Sequence, residues 1–519
     1  MPPLMFAIFR FTKIEMQNNW TNGYVADITY SHGYYHELAP SFLRFALLMN
    51  GLANGRGCSA SGDYTYCELG YGQGVSANAH AAANPRGRFW GTDFNPDHAL
   101  FAQGLAKQAG VQAHWLAASF EALMDEDLPQ FDFITLHGVW SWVDPATHHA
   151  IVEFIRRRLK VGGVVYISYN VMPGWSTEKP VRDLLWMHTE LAGARGDATA
   201  QRIAGALDFA QRLRRGGAAY FAQDARACDM LDDMQRDDVH VVAHEYFNQS
   251  WHLTYFADLA RSLEAAALSF ACSVHKSDLT GLVAQRRAAF DLDDLSLNGA
   301  LRQTTDDFIL NRRFRRDVFV RGAERLSAAQ RETQLKALGL VLLHPAASMP
   351  SRVVTPYGAV DLDIDLCRAL LSALDRANAP VALGEVIAQA GLNQHPVESV
   401  FQTVAAWVAQ GSLAVVFPED AQRAGSARTQ ALNQVMAQRA RDGDMRPYLA
   451  SPVTGQAIEA NPVDCLCLLA WDAGARTNDA LAAWLHHEGV PDARAQASRF
   501  LQAVAPGWHR LGVLTQEAA

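Results

Sequence analysis

Between Tyr64 and Ser168 the hydrophobic positions fall into two rhythms that take turns. The apolar and aromatic run from Tyr64 to Leu69 suits a buried strand, and the small-residue stretch Val75 to Ala83 behind it suits a helix. A second strand closes on Gly91-Thr92-Asp93, a short third covers Val111 to Leu116, and a fourth, Phe131 to Leu136, alternates apolar and polar residues. Ile151, Phe154, Ile155 and Leu159 then recur at helical spacing. Leu159-Lys160-Val161-Gly162-Gly163 predicts a helix stop that feeds a buried strand over Val164 to Ser168. Five alternations of strand and helix predict a parallel, doubly wound α/β sheet of Rossmann-like type. From Pro180 to about Arg236, Leu184, Leu185, Leu191, Ile203, Leu207, Phe209 and Leu213 keep helical spacing, which predicts a helical insertion over the carboxyl edge of the sheet. Ligands of such sheets sit outside the carboxyl ends of the strands, so the residues following each strand carry the functional information.

The tip of the first strand holds the sharpest signal. Glu68-Leu69-Gly70-Tyr71-Gly72-Gln73-Gly74 sets an acid and three alternate glycines at a strand-to-helix turn, and Asp93 follows nineteen residues after Gly74. Glycines tolerate positive φ and let a ligand lie against bare backbone, while a carboxylate ending the next strand can accept both hydrogen bonds of a ribose diol. The spacing G-x-G-x-G departs from the G-x-G-x-x-G of dinucleotide-binding turns. On these residues alone the segment is either a nucleoside site or a tight loop of some other α/β protein.

Further segments join this turn in a wider pattern: Tyr24-Val25-Ala26-Asp27-Ile28, Tyr30-Ser31-His32-Gly33-Tyr34-Tyr35, Glu37-Leu38-Ala39-Pro40, Gly91 to Pro96, Leu136 to Trp142 and Tyr166 to Trp175. Together they resemble the bacterial class I S-adenosylmethionine (SAM) dependent methyltransferases that carry a methyltransferase regulatory domain. That family includes the rickettsial protein-lysine methyltransferases that modify outer-membrane proteins. His244-Glu245-Tyr246-Phe247-Asn248 and Asn311 to Asp317 resemble its regulatory segment and the exit from it. The resemblance covers about residues 20 to 325 and implies a seven-stranded sheet, closed by an antiparallel pair near Leu268 to Val274 and Phe314 to Val320. It also implies S-adenosyl-L-methionine as cofactor, with Glu68, Gly70, Gly72, Gly74, Asp93, Phe94, Asn95, Ser119, Phe120 and His137 as the candidates that bind it. Many relatives place an acid against the adenine amino group; here Ser119-Phe120 stands in its place, so adenine is expected to rest on Ser119, Phe120 and backbone. His137-Gly138-Val139-Trp140 replaces the Asn/Asp-Pro-Pro-aromatic motif of many nucleic-acid and glutamine methyltransferases, which argues against those acceptors.

Methyl transfer from SAM is an in-line displacement whose reactive carbon belongs to the cofactor, so the protein has to position a nucleophile. A lysine amine, whose ordinary pKa in water is about 10.4, must also lose its proton. Burial among aromatic rings near a sulfonium favours the neutral amine, and rings stabilise the sulfonium by cation-π contact. Tyr30, His32, Tyr34, Trp140 and Trp142 are therefore the catalytic candidates, with Tyr35, Tyr169-Asn170 and Trp175 beside them and Asp27 and His32 as candidates for orienting or deprotonating the acceptor. Plain packing and capping are the alternative roles for the same side chains.

Composition narrows the reading. At 519 residues, 49% hydrophobic and 19% charged, the chain exceeds one ordinary core and suits a multi-domain globular enzyme. A net charge of −9 and a pI near 6.0 leave no basic footprint for nucleic acid. The run Arg312, Arg313, Arg315, Arg316 suits a salt-bridged strand end better than a phosphate site. Seven scattered cysteines without a C-x-x-C predict reduced thiols, a cytoplasmic location and no structural zinc. No metal is expected, because His240, His244 and Glu245 lack a third ligand, and no apolar run suits a membrane span.

The expected organisation is a disordered extension over 1–19, with Met16 an alternative start, then a SAM-dependent methyltransferase domain over 20–325 with its regulatory segment at about 215–300. A winged-helix-like module over 345–420 and a C-terminal helical module over 440–516 follow, mainly α, and share a weak repeat: Ser351-Arg352-Val353-Val354-Thr355 then Cys367-Arg368-Ala369-Leu370-Leu371 resembles Ser451-Pro452-Val453-Thr454 then Cys465-Leu466-Cys467-Leu468-Leu469. Their second helical stretches, Leu383 to Ala390 and Asp479 to Leu485, are not basic, so protein contact or homodimerisation is expected and not DNA binding. The expected activity is methylation of a protein at a lysine ε-amine, with an outer-membrane or surface protein as partner class. A small-molecule methyltransferase, and a SAM- or S-adenosylhomocysteine-binding regulatory protein without activity, are the alternatives.

Overall fold

The computed structural model describes residues 24–25, 32–53, 63–193, 197–290, 292, 298–377, 379–420 and 427–514. The expected N-terminal extension, Asp27 and Tyr30 lie outside the described residues. The central sheet has seven strands: β1 (Tyr64–Leu69), β2 (Gly87–Asp93), β3 (Ala113–Ala117), β4 (Phe131–Leu136), β5 (Leu159–Asn170), β6 (Ser269–Ser273) and β7 (Phe314–Val320). Their order is β3-β2-β1-β4-β5-β7-β6; β1 to β5 run parallel and β7 pairs antiparallel with both β5 and β6. The direction of strand addition reverses between β1 and β4, and at that switch point the carboxyl ends open into a cavity.

Local chemistry sets the element ends. All six residues of β1 are buried, and α2 (Val75–Ala83), which follows α1 (Pro40–Met49), starts from Gly74 at φ 69°. The Asn95 side chain accepts the Asp97 N–H at the start of α3 (Pro96–Ala109), and Asp144 accepts the Thr147 N–H at the start of α4 (Pro145–Arg158). The helix stop expected over Leu159 to Gly163 is instead the first part of β5: α4 ends at Arg158 and the chain enters the strand at once. Lys160 pairs with Asp132 at 2.7 Å, and a bulge between Phe131 and Phe133 absorbs the extra residues.

Two cores flank the sheet. Tyr66, Phe89, Phe133, Tyr166 and Val318 face α1, α2 and the C-terminal modules, while Leu69, Ile134, Leu136, Ile167 and Phe319 face α4 and α10 (Phe256–Glu264). Between β5 and α10 lie α5 (Lys179–Leu191), α6 (Thr199–Arg215), α7 (Ala219–Gln223), α8 (Ala225–Arg236) and α9 (Val239–Tyr246), packed around Leu185, Ile203, Leu231 and Val242. The short helices α11 (Lys276–Leu279) and α12 (Leu282–Arg287) and the longer α13 (Gly299–Leu310) connect β6 to β7.

The weak C-terminal repeat corresponds to a shared order of elements. A hairpin (Arg352–Thr355 with Gly358–Asp361) precedes helices Ile364–Leu374 and Leu383–Gln389; a second hairpin (Tyr448–Ser451 with Gln456–Glu459) precedes helices Pro462–Asp472 and Asn478–His487. The helix Val397–Ala409 is buried from Thr403 to Ala409, so it presents no face to a nucleic-acid groove there. The second hairpin is bound into the sheet's helical layer: Asn84 donates to Gly455 O at 2.8 Å and the Ala457 N–H donates to the Tyr34 hydroxyl at 2.7 Å. Among the described residues no helix is long and apolar enough to cross a membrane.

Candidate active site

The cavity at the switch point encloses about 350 Å³, within the range of small-ligand sites. One side is formed by the tips of β1 and β2. Gly70, Gly72 and Gly74 all adopt positive φ, 74°, 56° and 69°. A Cβ on Gly70 would meet Val139 Cγ2 at 2.5 Å and one on Gly74 would meet Ala102 Cβ at 2.6 Å, whereas Gly72 has open space beside it. The turn is locked by Asp93, whose Oδ2 accepts the Gly72 N–H at 2.9 Å and whose Oδ1 accepts the Asn95 N–H at 3.0 Å. His98, in the first turn of α3, stands 3.2 Å from Asp93 Oδ1 and also lines the cavity. Phe94 and Phe120 add apolar wall, and Tyr24 packs edge-on to Phe94 at 5.6 Å. Glu68 is 4% exposed, and burial pushes its carboxyl up to about 8.

The other side is formed by β4, β5, β7 and the segment before α1. Tyr35, Trp142, Tyr169 and Phe314 line it, with Asn170 and Arg316. The Tyr35 ring stacks on His137 with centroids 4.0 Å apart, and His137 Nδ1 meets the Tyr166 hydroxyl at 2.8 Å. Burial, with Arg316 nearby, pushes His137 down to about 3, so it is neutral at physiological pH. Ser141 ties the strand tips together, accepting the Asn170 N–H on its hydroxyl and the His252 N–H on its carbonyl, both at 2.7 Å. Behind the wall runs a buried ionic chain. The Tyr169 hydroxyl donates to Asp317 at 2.6 Å; Arg315 grips both Asp317 oxygens at 2.7 and 3.1 Å and donates to Asp307 at 2.6 Å; Arg312 continues to Asp307 and Asp278. Arg312, Arg315, Asp307 and Asp317 have no exposed surface. The basic run is thus a set of paired side chains, with Arg313 joined to Glu178 and Arg316 to Glu37.

Comparison with known proteins matches two stretches of the chain to families: a methyltransferase domain over residues 67–163 and a predicted methyltransferase regulatory domain over 238–321. An uncharacterized protein of Synechocystis sp. is 35% identical over 452 residues, 87% of this chain and 88% of that protein. The chain belongs to the class I SAM-dependent methyltransferases that carry a methyltransferase regulatory domain. A shorter uncharacterized protein of Rickettsia prowazekii is 27% identical over 36% of this chain and 74% of its own length. The structure of PKMT2 from Rickettsia typhi in complex with AdoHcy shares the fold, with a TM-score of 0.66 and 17% identity over 93% of this chain and 99% of that one. In this methyltransferase the regulatory match contains β6 and β7, two strands of the catalytic sheet, and the residues of the ionic chain behind Tyr169. The residues at the β1 and β2 tips suit SAM: the glycine cradle leaves no room for side chains at Gly70 and Gly74, and a buried carboxylate and two phenylalanines stand beside it.

Several expected site residues stand elsewhere. Before the 3-10 turn at His36–Leu38, with Tyr35 in the extended conformation, Gly33 and Tyr35 line the cavity while His32 and Tyr34 do not. His32 packs on Phe101, and the Tyr34 hydroxyl is held by Ala457 N–H and lies 3.2 Å from His80 Nε2. Trp140 and Trp142 share a 3-10 turn, which points them in different directions; Trp142 lines the cavity and Trp140 is buried against His148, ring centroids 4.1 Å apart. Ser119 accepts the Ala122 N–H at 3.2 Å and Asn95 caps α3, and neither lines the cavity. Glu68, Gly70, Gly72, Gly74, Asp93, Phe94, Phe120, His137 and Trp142 do line it. His98, Glu245, Phe314 and Arg316 line it although none was named as a cofactor or catalytic candidate; His98 is marked by its place in the first turn of the helix that follows Asp93, and Arg316 by strand alternation from Phe314.

Proposed function

We propose that this methyltransferase moves the methyl group of SAM to the ε-amine of a lysine in a protein acceptor. The observation that carries the proposal is the ring-walled side of the cavity, where Tyr35, Trp142, Tyr169 and Phe314 stand around the space beside the glycine turn. When bound, SAM supplies an electrophilic methyl on a sulfonium. Asp93 would hold the ribose, the backbone from Gly70 to Gly74 the aminoacyl end, and Phe94 and Phe120 the adenine. The rings exclude water and favour the neutral form of an amine, which a lysine with a pKa of about 10.4 needs before it can attack. Ser141 and the ionic chain through Asp317 hold Trp142 and Tyr169 in place, so the wall is set before the acceptor arrives. The likeness of the sequence to rickettsial protein-lysine methyltransferases, and of the fold to PKMT2, agrees with this reading.

Incubation with isotope-labelled SAM and whole-cell lysate, followed by acid hydrolysis of the protein fraction, tests it. Label recovered as Nε-methyllysine is the expected result. Label confined to the small-molecule fraction, or no transfer by protein that binds S-adenosylhomocysteine, would sink it.

A further inference from the structure

The cavity has two electrostatic ends. Its lining carboxylates Asp93 and Glu245 come from the tip of β2 and from α9, with Glu68 held largely as the neutral acid at the tip of β1, and Tyr24 feels both Asp93 and Glu245. Among the described lining residues one arginine or lysine is present, Arg316. It stands on β7 opposite Ser168 of β5, two residues from Phe314, and so belongs to the acceptor side, with β4 and β5 between it and β1. Glu37 takes one terminal nitrogen of its guanidinium at 2.6 Å, and 27% of the Arg316 side chain remains exposed while Glu37 is 7% exposed. The pair is a dipole with its positive end at the cavity and its negative end behind it. A guanidinium has five N–H donors, and a single carboxylate oxygen at one terminal nitrogen leaves donors over.

Resting on the proposed acceptor, we propose that Arg316 is a specificity determinant that binds a carboxylate carried next to the methylated nitrogen. The acceptor is then a lysine with an acidic neighbour, not one in a basic stretch. The same chemistry fits the carboxylate of a free amino acid, and the two sources differ in what is methylated. The positive end also opposes entry of an ammonium, which reinforces selection of the neutral amine.

Binding to protein saturated with S-adenosylhomocysteine tests the subsite without any transfer step. Glutarate is expected to bind roughly 10- to 100-fold more tightly than glutaramide, the usual range for a charge-assisted pair, and Arg316→Gln should erase that difference. The double variant Glu37→Gln/Arg316→Gln removes both charges of the buried pair and should give the same loss in a folded protein. No preference for glutarate in the wild type, or a preference that survives both variants, overturns the proposal. Labelled SAM with matched peptides then assigns the source: methylation of Lys-Glu over Lys-Gln peptides points to an acidic flank, and methylation of free lysine over its amide points to an amino acid. If glutarate binding depends on Arg316 but no lysine is methylated, the carboxylate subsite stands and the lysine acceptor falls.

Discussion

Along one side of the cavity β1 and β2 offer glycine backbone and a single clamping carboxylate; along the other, β5 and β7 offer rings and the Arg316 guanidinium, backed by buried arginines that acids from residues 238–321 hold. The first side depends on what is missing, since a Cβ at Gly70 or Gly74 has no room. The second depends on what is balanced, because Arg312 and Arg315 lie fully buried among Asp278, Asp307 and Asp317. The glycine side is built by short-range geometry, whereas the ring wall is assembled from residues far apart in the chain. The two sides should therefore fail differently.

The largest effect is expected from Arg315→Met. Removing one partner of a buried ion network leaves Asp317 without its guanidinium and Asp307 with Arg312 alone, which costs about 3–5 kcal/mol of folding stability. Chemical denaturation measures it, and a loss under about 1 kcal/mol would mean that the ring side does not depend on charge balance. Asp93→Ala acts on the other side: affinity for S-adenosylhomocysteine should fall by about 1.5–3 kcal/mol in calorimetry, more than in Asp93→Asn. Unchanged affinity would take Asp93 out of the site. Trp142→Ala should lower turnover about tenfold, ~1.4 kcal/mol, with cofactor affinity nearly unchanged. Equal losses in both would show that the two sides are not separable.

The last effect is one of pH. Burial raises Glu68 to about 8, so the neutral acid predominates at neutral pH. SAM carries a sulfonium and an ammonium and favours the carboxylate, so binding releases a proton. Affinity should rise with pH until about 8, by at most tenfold per unit, and Glu68→Gln should flatten that limb. A wild-type affinity that is level across the range, followed by calorimetry, breaks the assignment of Glu68 to the cofactor side.

The same division explains what was legible in the sequence. The strands at Tyr64–Leu69, Phe131–Leu136 and Phe314–Val320 and the helix Val75–Ala83 were legible because their periods are local, and the glycine turn because positive φ narrows the choice of residue. The ring side was legible as a cluster of aromatic residues and a basic run, but not in its facing. A phase of one residue puts Tyr35 in the cavity and Tyr34 on the C-terminal hairpin, and a step of two along a 3-10 turn separates Trp142 from Trp140. Nothing near Arg316 in the chain announces Glu37, which reaches it from the opposite end of the domain.

The pairing of β7 with β5 has a consequence for the sheet as a whole. β5 is twelve residues long and buried over most of its length, and β7 covers it from Val164 to Asn170. A chain ended before residue 238 would leave that apolar strand as an open edge, with unpaired N–H and C=O groups ready to template another copy. Deleting the segment named for regulation would therefore yield a seed for aggregates in place of a deregulated enzyme.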